Sequence, residues 1–207
     1  LAGRSNGGTI NFAATGTTPS LGTTELVTLT GQAANPFLGA GYFVNGSGYA
    51  AINASAQVIA ATLTAAPTAA TLGATTSTSY LDVTGAITAQ TTATVGALRF
   101  NTTNGLAFAD GNTLQVNGLL KSGGNAATIA SAGAGTTGSL MPVIGTQELI
   151  VRTDVAADTL TLGDGIGIIN NGAAVSLVKS GAGRLTLTSP SAYTGNTTVN
   201  QGVLWVN

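Results

Sequence analysis

The chain has 207 residues, of which six are basic and seven acidic, and it contains 30 glycines, no cysteine and no histidine. These absences exclude a disulfide framework, Ser-His-Asp and Cys-His catalytic groups, and His- or thiolate-based metal sites. Six scattered cations argue against nucleic-acid binding, and a hydrophobic content of 43% with a net charge of −1 argues against disorder.

The first part of the chain, residues 1–94, carries short β-strand patterns and no helical pattern. Residues 26–81 contain no charged side chain, so no charged helical face can form there. Strand-like runs occur at residues 25–31 (ELVTLTG) and 79–88 (SYLDVTGAIT). Residues 50–79 are rich in Ala and Thr, and we interpret them as coils with small inward side chains, a flexible linker being the alternative.

Four aromatic side chains fall close together in residues 35–49, within the N-terminal part. One interpretation is a local mini-core beneath a protruding loop. The other is a contact patch for a second copy of the chain, because aromatic side chains are enriched in interfaces. The four residues are Phe37, Tyr42, Phe43 and Tyr49.

The second part, residues 95–207, has strand patterns in which apolar residues alternate with Thr or other polar residues, as in a sheet with one buried face. Residues 119–125 (LLKSGGN) are repeated as residues 177–183 (LVKSGAG). Loose repetition of this kind predicts an all-β solenoid with coils of variable length, about 20 to 25 residues each and eight to ten in number. A β-sandwich is the alternative. The strand-like runs are residues 96–101, 112–120, 148–154, 158–165, 184–189 and 197–207.

Three motifs in this part invite a chemical interpretation, and each has a simpler one. GAGTTG (133–138) matches a dinucleotide-binding pattern, but no helix pattern follows it, and we expect a glycine-rich turn. Asp154, Asp158 and Asp164 could hold a structural cation, but we expect solvated carboxylates at strand ends. Lys121 and Lys179 precede serines in turns that we expect to be exposed. We therefore predict no enzyme activity, no cofactor and no metal.

The last 31 residues, LVKSGAGRLTLTSPSAYTGNTTVNQGVLWVN, closely resemble the autotransporter-associated β-strand repeat. The resemblance extends weakly upstream to about Val95. It implies a right-handed parallel β-helix exported to the bacterial cell surface, often as a passenger domain. The residues that occupy the motif are Lys179, Gly181, Gly183, Leu185, Leu187, Tyr193, Thr194, Gly195, Thr197, Val199, Gly202, Leu204 and Val206.

The functional expectation is a structural, extracellular β-solenoid that forms a stalk or a self-assembling filament, with a surface adhesin or glycan-binding module as the alternative. No run of about 20 apolar residues occurs, so we expect no transmembrane segment. The chain begins at Leu1 without Met, which we interpret as part of a longer polypeptide.

The two ends of the chain are strand-like and lack an evident cap, which predicts head-to-tail pairing with another copy or continuation into more coils. We expect the C-terminal contact to use Val203, Leu204, Trp205 and Val206, with the aromatic patch as a side contact. The scarcity of charge predicts a stability that is nearly independent of pH between about 4 and 9.

Overall fold

The computed structural model describes residues 5–15 and 21–207, and within them it contains 19 strands and no helix. The strands, numbered in chain order, belong to three sheets. The N-terminal sheet consists of β1 (Ile10–Phe12), β2 (Tyr42–Val44), β3 (Gly48–Ile52) and β4 (Val58–Ala60).

The other two sheets form the solenoid. The first solenoid sheet has nine strands: β5 (Thr64–Ala65), β6 (Tyr80–Asp82), β8 (Ala93–Phe100), β10 (Asn112–Lys121), β12 (Gly138–Met141), β13 (Glu148–Thr153), β15 (Ile166–Ile168), β16 (Ser176–Ser180) and β18 (Thr197–Val199). The second solenoid sheet has six: β7 (Ile87–Gln90), β9 (Leu106–Phe108), β11 (Ala126–Ser131), β14 (Thr159–Leu162), β17 (Arg184–Leu187) and β19 (Val203–Val206).

Every strand pair in the two solenoid sheets is parallel, and strands from successive passes of the chain lie side by side. This arrangement confirms the predicted all-β parallel solenoid and replaces the β-sandwich alternative, whose sheets are antiparallel. Coil length varies more than expected, as the numbers of residues that align on neighbouring strands show. Leu81 aligns with Leu98, Leu119 with Val151, and Leu177 with Thr197, so the number of residues per coil differs among these three pairs. The main path of the first solenoid sheet contains seven strands, so the coils number fewer than the eight to ten expected.

The solenoid interior is filled by apolar side chains that point inward from both sheets. Leu98, Leu119 and Val151 align across three neighbouring strands and are all fully buried in the main core. Their neighbours Leu120 and Ile150 belong to a second core on the opposite face of the same sheet. This alternation follows from the two-residue period of a strand.

The N-terminal sheet covers that opposite face and does not continue the coils. Strand β2 pairs antiparallel with β3, and β3 pairs antiparallel with β4. The expectation of solenoid coils from the beginning of the chain is therefore corrected for residues 10–60, and the coils begin at β5. The physical reason is a tight turn between β2 and β3, where Asn45 and Gly46 both have positive φ angles of 49° and 74°.

The N-terminal sheet and the described residues that precede it, together called the N-terminal layer, reach the C-terminal coil. The Gly7 amide donates a hydrogen bond to Glu148 Oε1 at 2.5 Å, and the Asn200 side chain donates to the Gly7 carbonyl at 2.8 Å. At the first solenoid sheet, Arg152 donates to the Gly46 carbonyl at 2.9 Å and its guanidinium lies over the Phe43 ring. The N-terminal layer thus contacts several successive coils and links them laterally.

Candidate functional site

The C-terminal end of the solenoid is an open β edge. Strands β18 and β19 are the last strands of their sheets, and no further strand pairs with their outer edges within the described residues. The amides of Val203 and Asn207 donate to carbonyls of the preceding coil at 3.1 and 3.0 Å. Alternate residues of a parallel strand pair with the same neighbour, so the amides of Leu204 and Val206 point toward the open edge.

The side chains at this edge are apolar and largely exposed. Val203, Trp205 and Val206 are 45%, 51% and 69% exposed, whereas Leu204 packs against the main core. Residues 185–207 contain no charged side chain. A cavity of about 480 Å³ opens beside them, lined in part by Leu187, Tyr193 and Val206. The edge lacks the charges, prolines and bulges by which natural sheets usually block edge pairing.

The N-terminal end of the solenoid is different, because its edge is short and partly covered. Strand β5 has only two residues, and the buried Leu72 inserts its side chain into the main core. The Leu72 amide donates to Gln90 Oε1 at 2.8 Å, and the Ala89 amide of β7 donates to the Ala70 carbonyl. The expectation that both ends lack a cap is therefore corrected for this end. The strand-like sequence near residue 10 lies in the N-terminal sheet, away from this edge.

The aromatic cluster is a core and not an exposed patch. Phe43 and Tyr49 are fully buried and Phe37 is nearly so, packed against Ala97, Leu120, Ile150 and Val178 of the first solenoid sheet. The Phe37 ring stacks on Tyr80 with centroids 3.9 Å apart. The expected side contact at Phe37, Tyr42, Phe43 and Tyr49 is therefore corrected: three of these four rings serve to hold the N-terminal layer on the solenoid. Their long-range partners were not visible in the sequence.

Lys121 is fully buried at the corner between β10 and β11, although its turn was expected to be exposed. Its ammonium donates to the Ser122 carbonyl at 2.5 Å and to Asn125 Oδ1 at 2.6 Å, and it lies 3.4 Å from Asp158 Oδ1. Asp158 belongs to the next coil and is also fully buried. Burial lowers the pKa of Lys121, and the charge of Asp158 acts in the opposite direction.

Lys179 is fully buried at the corner between β16 and β17, and within the part of the chain that the structure describes its acceptors are all main-chain carbonyls. Its ammonium donates to the carbonyls of Ser180, Gly181 and Gln201 at 2.6, 2.8 and 3.1 Å. Gln201 lies in the last coil, so the lysine connects two successive corners. Burial, and to a smaller extent the Arg152 cation, lower the pKa of Lys179 to about 8.

The glycines of the C-terminal motif allow close backbone contact between coils. A Cβ on Gly183 would lie 2.3 Å from the Asp158 carbonyl oxygen, and one on Gly195 would lie 2.4 Å from that of Val175. Gly181 and Gly202 also have positive φ angles of 75° and 76°. Leu185 and Leu187 fill the core, and Tyr193 hydrogen-bonds Thr197 at 2.7 Å. The motif residues are thus structural in this geometry.

The three aspartates singled out in the sequence each have a different partner. Asp158 pairs with Lys121, Asp154 pairs with Arg152 at 2.7 Å, and Asp164 accepts from Thr188 at 3.2 Å. Among the described residues, no group of three or more acidic side chains could hold a metal ion. Solvated carboxylates were expected at all three positions, and for the buried Asp158 this expectation is corrected. GAGTTG forms a turn between β11 and β12, with Gly135 at a positive φ of 76°.

Comparison with known proteins identifies the C-terminal coil. Residues 177–206 match the passenger-associated-transport-repeat family, in agreement with the resemblance seen in the sequence. This repeat is associated with autotransporter passenger domains and implies export to the bacterial cell surface or the extracellular space. Searches of curated proteins and of solved structures found no match to the chain. Within the described residues, no helix is long and apolar enough to cross a membrane.

Proposed function

We propose that this chain, one of whose coils is a passenger-associated transport repeat, is a non-catalytic structural section of a bacterial surface protein. Its C-terminal edge is the functional feature, and it accepts a further β-coil by parallel pairing. The observation that carries the proposal is the combination of outward amides and uncharged, exposed side chains in β18 and β19. Another coil would satisfy the amides of Leu204 and Val206 and bury the apolar side chains beside them.

The contrast between the two ends favours a stalk over a head-to-tail filament. Head-to-tail assembly needs a receptive first coil, and the N-terminal edge offers only the two residues of β5 beside a covered β7. A heterologous contact of this size would bury little backbone. Of the two ends, the C-terminal edge therefore offers the longer surface on which another β-coil can pair.

The non-catalytic part of the proposal is supported by the position of the reactive groups. Lys121 and Lys179 are the only lysines in the chain, and both are buried and hydrogen-bonded at corners. Neither faces an open cleft in which a serine could attack a substrate.

The edge can be tested by adding one coil. Leu185 aligns with Leu204, so one coil at this end advances the chain by 19 residues, and a second copy of residues 188–206 supplies one more. Hydrogen exchange of the Leu204 and Val206 amides should slow at least about tenfold when this coil is appended directly after Val206. A shuffled sequence of the same composition is the control. Equal exchange in the two extended chains would refute the proposal.

A glycan-binding role is the second candidate, and Trp205 is the observation that bears on it. All ten aromatic residues are described, and of these only Trp205 is exposed, with the Arg184 guanidinium 5.1 Å from its ring centroid. A single exposed ring is much less than the continuous row expected of a glycan-binding face. Binding on a glycan array that disappears in Trp205→Ala would nevertheless establish this role.

A further inference from the structure

Three side chains that can react with one another meet at the corner between β10 and β11. Lys121 Nζ is 2.6 Å from Asn125 Oδ1 and 3.4 Å from Asp158 Oδ1, and the lysine and the aspartate are fully buried. A buried amine and a buried carboxylate, with a half-buried carboxamide in hydrogen-bond contact with the amine, are the groups needed for transamidation. We propose that Lys121 and Asn125 form an intramolecular isopeptide bond, with Asp158 as the group that carries the proton.

The reaction is balanced without an oxidant or a cofactor. A proton moves from the Lys121 ammonium to the Asp158 carboxylate, which leaves a neutral amine with a free electron pair. The amine attacks Cγ of Asn125, a new C–N bond forms, and the C–N bond to the side-chain amide nitrogen breaks. The proton on Asp158 and one from the attacking nitrogen complete the leaving group, which departs as ammonium and leaves Asp158 ionised again.

The corner holds the reacting groups in place before the reaction. The Gly124 and Val155 amides donate to the two oxygens of Asp158 at 2.8 and 3.0 Å. The Asn125 side-chain nitrogen donates to the Gly123 carbonyl at 3.1 Å, which fixes the plane of the amide. Fixed orientation of this kind accounts for a large part of the rate of intramolecular reactions. Burial also lowers the pKa of Lys121 and so favours the neutral amine that the attack requires.

The second lysine corner is an internal control. Lys179 begins the same Lys-Ser-Gly phrase, but the residue four positions later is Gly183 and not an asparagine. Its three acceptors are main-chain carbonyls, so no side-chain amide is available for attack. The structure therefore assigns the bond to one corner and not to the other.

The test is mass spectrometry of the full wild-type chain after denaturing tryptic digestion. Trypsin cuts after Arg99, Lys121 and Arg152, so an unmodified corner gives the separate peptides 100–121 and 122–152. The proposal predicts one peptide, 100–152, with a mass lower by one ammonia and with fragment ions that join Lys121 to Asn125. Cleavage after Lys179 should be normal in the same sample.

Other outcomes would overturn the proposal. Separate peptides of unmodified mass from folded protein incubated for days at pH 7 to 9 would show that the bond does not form. Loss of water instead of ammonia would place the bond on Asp158. Loss of ammonia with normal cleavage after Lys121 would indicate a succinimide, for which Asn-Gly pairs such as Asn104-Gly105 provide other sites.

Two variants test the roles of the residues. Lys121→Arg keeps a cation at the corner but should abolish the cross-linked peptide completely. Asp158→Asn keeps the shape of the side chain and should slow the reaction by about a hundredfold or more, as expected on removing a general acid–base group. A cross-link that forms at the wild-type rate in Asp158→Asn would remove Asp158 from the mechanism. Because the wild-type digest is decisive by itself, poor folding of either variant does not affect the main test.

Discussion

The corners after β10 and β16 both begin with Lys-Ser-Gly, and in both the lysine points into the solenoid and is fully buried. The electrostatic environments of the two lysines differ. Lys121 has an asparagine from its own coil and a buried carboxylate from the next, whereas Lys179 has only main-chain carbonyls. The same Lys-Ser-Gly phrase thus leads to an ion pair at one corner and, within the described residues, to a buried cation bonded only to main-chain carbonyls at the other.

Strand register explains the difference. Lys179 aligns with Val151, and Val151 aligns with Leu119 on the next strand. Lys179 therefore occupies the level of Leu119 in the stack of strands, two residues before Lys121. In successive coils, the last residue before the strand of the second solenoid sheet also differs. Before β11, β14, β17 and β19 it is Asn125, Asp158, Gly183 and Gly202, respectively. At Gly183 and Gly202, a Cβ would lie 2.3 Å from a backbone oxygen, so neither position has room for an acidic side chain.

Replacing each lysine by methionine gives the largest expected effect. Lys121→Met leaves Asp158 buried without its cation and should cost about 3–5 kcal/mol of unfolding free energy. Lys179→Met removes hydrogen bonds to carbonyls but also removes a desolvated charge, and should cost about 1–2 kcal/mol. Urea unfolding at pH 7 measures both. Both replacements are made in an Asn125→Ala background, which prevents the proposed cross-link and retains the ion pair between Lys121 and Asp158. Equal losses for the two methionine variants would contradict the comparison.

Glycine substitutions test how tightly the second corner is closed. Gly183→Ala should cost about 2–3 kcal/mol, because the new Cβ overlaps the carbonyl oxygens of Asp158 and Val155. Gly124→Ala at the first corner meets no atom within 4 Å. It should cost about 1 kcal/mol, through its positive φ alone. Thermal unfolding of the two variants measures the difference, and the reverse order would show that the corners are packed differently.

The smallest effect expected is a rise in stability at alkaline pH. The pKa of Lys179 is about 8 in the folded chain, below the value of about 10.4 for an unfolded lysine. Between these values the unfolded chain binds more protons, so unfolding free energy should increase with pH, by about 1 kcal/mol from pH 7 to 9. Burial raises the pKa of Tyr49, which opposes this trend only where unfolded tyrosines ionise, near pH 10.

Urea unfolding at several pH values checks this prediction, and Lys179→Met is its control, because the variant should lose most of the increase. A wild-type stability that falls from pH 7 to 9 would contradict the assignment. The sequence predicted a folding stability nearly independent of pH from about 4 to 9. Because Lys179 titrates near 8 in the folded chain, we now expect this independence only from about pH 4 to 7.

A test of association sharpens the comparison between the two ends of the solenoid. Val206→Pro removes an outward amide without breaking the bonds that Val203 and Asn207 make to the preceding coil. Any self-association through this edge should weaken in Val206→Pro and persist in Val206→Thr, which keeps the amide. Sedimentation velocity over a range of concentrations measures this. Equal association of both variants would show that the edge is not the contact.

Some features could be predicted from the sequence because they depend on local patterns. Alternating Leu and Thr in residues 184–189 predicts a strand with one buried face, and Leu185 and Leu187 are buried accordingly. The repeated phrase at residues 119 and 177 indicated stacked coils, and the C-terminal motif indicated a passenger repeat, which the family match at residues 177–206 confirms. The Asn-Gly turn after Val44 was a hairpin signal that could have revealed the antiparallel sheet.

The sequence by itself determined that this chain is all-β, poor in charge and coiled at its C-terminal end, because alternation, glycine turns and composition act over a few residues. Only the tertiary structure decided that Phe43 and Tyr49 are buried beneath an N-terminal layer and that Asp158 meets Lys121 across 37 residues. Those contacts depend on how many residues each coil contains. A shift of two residues in strand register places a lysine such as Lys179 at the level of Leu119 in the core. No local sequence pattern specifies the number of residues per coil that sets this register.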